Sequence, residues 1–151
     1  MVAYHCDVNR IIAVPFKSRK YKDRMVAYNT IIQRLKDRNM LVNLQILDNE
    51  TSKEYKTIIK DKWNTKYQLV PSQIYRQNSA ERAIRTFKAH FLSILAGVAD
   101  DFPRRHWDQL LPQAELTLNL LHQAIIQTEL SAWIYLMGAF NYDATPLGPL
   151  G

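Results

Sequence analysis

Residues 41–71, LVNLQILDNETSKEYKTIIKDKWNTKYQLVP, read as strand, helix, strand. The run LVNLQIL at 41–47 is apolar and β-prone, and it ends in Asp48. TSKE, from Thr51 to Glu54, has the pattern of a capping box and predicts a helix running to about Trp63. YQLVP at 67–71 is a second strand, stopped by Pro71. Two strands separated by a helix belong to an α/β sheet, whose ligand sites gather at strand ends and in the loops beside them.

The same reading extends outward in both directions. MVAYHCD and RIIAVPF are short β-prone runs joined by the turn residues DVN, so residues 1–16 predict an antiparallel hairpin. Residues 20–38 predict a helix with Tyr21, Met25, Tyr28, Ile32 and Leu35 as its apolar stripe. Residues 80–97 predict another, buried along Ala80, Ile84, Phe87, Phe91 and Ile94 and stopped by Gly97. A helical region follows over 104–123, with Leu111, Ala114, Leu118 and Leu121 on one face. Pro112 marks either a kink or a new start in it. A short helix at 129–137 and an extended end, ATPLGPLG, complete the chain. The expectation is one domain over residues 1–151, a mixed sheet flanked by helices.

Composition narrows the function classes. The chain has 151 residues, 47% hydrophobic and 23% charged, as a globular domain does. Lys and Arg number 20 against 14 Asp and Glu, a formal net charge of +6 that suits a polyanionic partner. Between Lys17 and Arg38 there are eight basic residues and two acidic ones. Cys6 is the sole cysteine, which excludes an internal disulfide and a cysteine-rich zinc site. No run of about 18 apolar residues is present to span a membrane, and no signal-peptide pattern opens the chain. A reducing intracellular setting is the expectation.

Two acids stand out by position. Asp48 ends a strand, and Glu81 opens the helix that follows the next strand, 81 − 48 = 33 positions later. If the two strands are neighbours, both carboxylates can converge on one edge of the sheet and recruit a hard divalent cation. Glu81, Arg85 and Lys88 stand at i, i+4 and i+7 and share a helical face. A metal-binding acid followed by cations suits phosphate chemistry. The structural reading is equally open: Asp48-Asn49 is ordinary turn chemistry, and Glu81 with Arg85 makes a solvated helix pair.

In combination, LQILDNE, YQLVPSQIYRQNSAERAIRTFK and LLPQAELTLNLL resemble the integrase catalytic core of LTR retrotransposons and retroviruses, a ribonuclease-H-like family. The resemblance covers nearly the whole chain. It implies a metal-dependent polynucleotidyl transferase that holds two Mg²⁺ or Mn²⁺ ions on an Asp, Asp, Glu triad and attacks a DNA phosphodiester. Asp48 matches the second Asp and Glu81 the Glu, so both are the implied catalytic and metal-binding residues. Arg82, Arg85 and Lys88 match the start of the DNA-facing helix. DNA is the implied partner, the C-terminal helices are an implied homo-oligomer contact, and a working integrase acts in the nucleus.

The match has departures. Glu50 and Asn78 stand where the family usually has glycine. The strand that carries the family's first catalytic Asp, the central strand of its sheet, finds no match here, so the expected fold is a ribonuclease-H-like mixed sheet lacking that strand. Such a chain reads as a fragment with two of three metal ligands. The alternative from another class is an inactive integrase-derived module that binds nucleic acid or a partner protein. A nuclease of the same fold acting on RNA–DNA hybrids is a weaker third reading.

Overall fold

The computed structural model describes residues 1–40, 42–48, 52–70, 79–145 and 147, with Asp48 described by its backbone. The elements are β1 (Val2–His5), β2 (Arg10–Ala13), α1 (Tyr21–Lys36), β3 (Leu44–Asp48), α2 (Lys53–Asp61), β4 (Lys66–Val70), α3 (Ser79–Ala96), α4 (Leu111–Leu121) and α5 (Ala132–Met137). A 3-10 segment, Arg104–Leu110, precedes α4. The protein is mixed α/β, and its elements follow the order expected from the sequence. Among the described residues the four strands form two separate two-stranded sheets, β1 with β2 and β3 with β4. The chain divides into two compact units, Met1–Pro15 with Ser79–Gly151, and Phe16–Asn78.

The unit Phe16–Asn78 is a helix followed by a parallel β-α-β. Strands β3 and β4 run parallel in register, Leu44 opposite Lys66 through Asp48 opposite Val70. Helix α1 buries Met25, Ala27, Tyr28, Ile31, Ile32 and Leu35, whereas Tyr21, its first residue, is exposed, a departure from the expected stripe. Tyr28 meets the Tyr55 ring edge-on at 4.9 Å, and its hydroxyl accepts from Gln45 Nε2 at 2.6 Å. Helix α2 opens one residue later than the capping-box pattern suggests. Ser52 is its N-cap and accepts from the Tyr55 N–H at 3.4 Å; Thr51 lies outside the described residues. Asn39 and Asn64, just past α1 and α2, take positive φ of 56° and 48°, a conformation asparagine tolerates better than most residues.

The other unit is the hairpin clasped by α3 and α4. Strands β1 and β2 pair antiparallel, Val2 opposite Ala13 and His5 opposite Arg10, and Asn9 closes the turn at φ 57°. The core joins Ile11 and Ala13 to Ala83 and Phe87 of α3 and to Leu111, Ala114 and Leu118 of α4. Phe87, Phe91 and Trp107 continue it as a chain of ring contacts, each 6.2 Å between centroids. Pro112 sits in the first turn of α4, so the region 104–123 is two elements and a new helix begins there. In this unit two positions differ from the expected stripes. Ile84 is 44% exposed and Ala83 is buried in its place, because the small residue lets α3 lie close to the hairpin. Leu121 is 74% exposed, because α4 ends there.

The outer edge of β2 is sealed by side chains. The Ile11 N–H donates to Asn119 Oδ1 at 2.9 Å, and Asn119 Nδ2 donates back to the Ile11 carbonyl at 2.8 Å. The Ala13 N–H donates to Glu115 Oε2 at 3.0 Å, and the other carboxylate oxygen lies 3.7 Å from the Arg10 guanidinium. Glu115 and Asn119, one turn apart on α4, thus satisfy backbone groups that a further strand would otherwise meet.

Candidate metal and nucleic-acid site

Glu81 lies in the first turn of α3, where a carboxylate is favoured by the positive end of the helix dipole. That turn packs beside β1. Ala83 enters the shared core, and Ser79 Oγ lies 3.6 Å from Cys6 Sγ. The helix is held there by Ala83 and Phe87 on its inner side, which leaves Glu81 half-buried. Among the described residues no ion pair or side-chain hydrogen bond engages the Glu81 carboxylate. The solvated Glu81–Arg85 pair, open on spacing alone, is therefore not formed. Arg82, Arg85 and Lys88 are all exposed on the faces turned away from the core. Burial raises the Tyr4 pKa, the nearby Cys6 adds to the rise, and the Arg82 guanidinium opposes it.

Asp48 closes β3 opposite Val70 of its neighbour β4, so the condition that the two strands be adjacent and parallel is met. Its side chain, the neighbouring Glu50, and Asn78 with the rest of the loop before α3 lie outside the described residues. Asp48 and Glu81 belong to different compact units. Among the described residues no three His, Cys, Asp or Glu come together as a metal-ion group. Each carboxylate is by itself a hard-oxygen donor, of the kind Mg²⁺ and Mn²⁺ take.

His5, at the end of β1, is a titratable residue that the sequence did not single out. Burial lowers its pKa, opposed by Asp7 and assisted by Arg10, and its Nδ1 is buried without a hydrogen-bond partner among the described residues. Glu115 and Asn119 were also missed as a pair. Gln113 and Thr117 are spaced the same way on LLPQAELTLNLL, so spacing alone did not mark Glu115 and Asn119 as the inward pair. No helix among the described residues is long and apolar enough to cross a membrane. Comparison of the chain with protein-family models, with curated proteins and with solved structures gave no match.

Proposed function

We propose that this chain is the catalytic-core portion of a retroelement integrase, whose parent activity is metal-dependent DNA cleavage and strand transfer. The observation that carries the reading is the start of α3: a half-buried Glu81, without an ion pair among the described residues, followed by exposed Arg82, Arg85 and Lys88. The strand pattern supports it. An antiparallel pair and a separate parallel pair are what a ribonuclease-H-like sheet leaves when its central strand is taken away. In this reading Asp48 and Glu81 would hold a hard divalent cation, Mg²⁺ or Mn²⁺, which when bound supplies Lewis-acid activation at a phosphodiester. Arg82, Arg85 and Lys88 hold the flanking DNA backbone.

Mn²⁺ titrated into the purified chain and followed by electron paramagnetic resonance tests the metal assignment. Bound Mn²⁺ in the parent and weakened binding in both Asp48→Asn and Glu81→Gln is the expected result, with far-UV circular dichroism unchanged. Equal Mn²⁺ affinity in all three proteins would remove the metal site.

A second reading, an inactive nucleic-acid-binding module of the same origin, is favoured by where the charge lies. The unit Phe16–Asn78 contains 14 Lys and Arg against 6 Asp and Glu, a net +8, and the remaining residues carry 6 against 8, a net −2. The basic excess therefore lies outside the unit that carries Glu81. Nucleic-acid affinity that survives Glu81→Gln, in a protein without metal-dependent end processing, would favour this reading.

A further inference from the structure

We propose a second nucleic-acid site, on the α2–β4 face, that binds the phosphodiester backbone of a single strand. A cavity of about 370 Å³ opens there, lined by Lys53, Lys56, Thr57, Lys60, Asp61 and Tyr67. Lys53, Lys56 and Lys60 follow one another at i, i+3 and i+7, which places all three ammonium groups on one side of α2. The helix is anchored by Ile59, fully buried about a quarter-turn round from the lysine row. Among the described residues none of the three ammonium groups is in an ion pair or a side-chain hydrogen bond, although Lys53 is near enough to Glu54 to favour its carboxylate. Their neighbours in the same unit are committed elsewhere. Lys36 and Lys62 lie over the Trp63 ring at 4.4 and 5.3 Å.

The arrangement selects among anions. At a rise of about 1.5 Å per residue, the lysines form a row roughly 10 Å long. A row suits an extended polyanion, whereas a lone phosphate is held by groups that converge on one point. Tyr67, contributed by β4, exposes 38% of its surface at the same cavity and supplies a face on which a base can stack. Cations along a groove with an aromatic beside them are the elements of single-strand recognition. Asp61 lowers the positive potential at its end of the cavity, so the phosphates register on the lysines. The net +8 of this unit draws a polyanion to it. The site uses neither Glu81 nor Asp48 and stands apart from the integrase reading.

Fluorescence anisotropy of a labelled oligothymidylate, titrated at several salt concentrations, tests the proposal on the full chain. Replacing Lys53, Lys56 and Lys60 together with Gln should flatten the log–log salt slope by about 2, at roughly 0.7 per phosphate contact on a single strand. Tyr67→Leu should weaken binding about tenfold at unchanged slope, as loss of one stacked base does. Asp61→Asn should tighten binding. All three lysines are on the helix surface, and circular dichroism reports whether the triple variant is folded. An unchanged slope in the folded triple variant overturns the site. Equal binding of a duplex and insensitivity to Tyr67→Leu overturn the single-strand assignment. Inorganic tripolyphosphate that binds with the same lysine dependence while the oligonucleotide does not would assign the cavity to free polyphosphate and overturn the proposal. Replacing Arg82, Arg85 and Lys88 with Ala, in parallel, separates this site from α3. If only the α2 variant changes the slope, the present proposal stands and the DNA-facing role of α3 falls.

Discussion

Asn119 shows how much one polar side chain can carry. It satisfies both backbone groups of Ile11 across 108 positions of sequence, in a fully buried setting. Each buried group left unpaired costs about 1–3 kcal/mol, so Asn119→Leu, which orphans two, should destabilise the protein by about 2–6 kcal/mol in urea unfolding. Asn119→Asp keeps the acceptor for the Ile11 N–H and should cost clearly less than Asn119→Leu at a pH where the new carboxyl is protonated. Equal losses would mean that the pair of hydrogen bonds does not set the cost. His5 makes a prediction about pH. Burial depresses its folded-state pKa below the ordinary 6.5, so the folded state resists protonation more than the unfolded chain does. Stability is then full above the unfolded value and declines as the pH falls through about 6.5, where the unfolded state takes up the extra proton. His90, lowered chiefly by burial, adds to the decline in the same direction. His5→Gln should flatten the acid limb of the stability–pH profile measured by urea unfolding. An unaltered limb would assign it to other groups.

Local chemistry at the ends of the helices sets their bounds. Ser52 caps α2 through the Tyr55 N–H, and Ser131 caps α5 by accepting from the Ile134 N–H at 3.1 Å. Ser52→Ala should cost about 1 kcal/mol, readable as a lower urea midpoint at unchanged slope. At the other end of α1, the Met40 N–H donates to the Leu35 carbonyl at 3.0 Å while Asn39 takes φ 56°. Asn39→Gly should be neutral or slightly stabilising, and Asn39→Val should destabilise by about 1–2 kcal/mol, because a β-branched side chain crowds the left-handed conformation. Identical urea midpoints for the two variants would remove the backbone explanation. Helix α3 has a different division of labour. Its inner side packs Ala83 and Phe87, and its outer side leaves Arg82, Arg85 and Lys88 exposed, so those three can be replaced without disturbing the core.

Across the whole molecule, charge and topology separate. The hairpin unit carries the candidate catalytic glutamate and a net −2, and the β-α-β unit carries Asp48 and a net +8. A duplex bound along α3 should lose a log–log salt slope of about 0.9 for each of Arg82, Arg85 and Lys88 replaced by Ala, or nearly 3 for all three. Duplex titrations at varied salt measure this, and an unchanged slope would make the three residues a solvated face. Glu115 and Asn119 close the edge of β2, as edge strands must be closed to avoid unwanted pairing.

What the residues alone determined was the kind and order of the elements. Alternation of apolar residues, Pro71, Pro112, Gly97 and the TSKE pattern act over a few positions, so hairpin, helices and strands were readable within a residue or two at most ends, whereas Ser52 and Ser131 as the actual caps were not. The positions of Asp48 at a strand end and Glu81 in a first helical turn were readable for the same reason. Tertiary structure decided which partner each surface meets. It chose Ala83 over Ile84 for the core, left Leu121 in solvent, and turned Glu115 and Asn119 inward to the hairpin. It also divided the strands into two pairs and assembled Lys53, Lys56 and Lys60 with Tyr67 around one cavity. Periodicity names a face of a helix, but the close approach of elements far apart in sequence decides what that face touches.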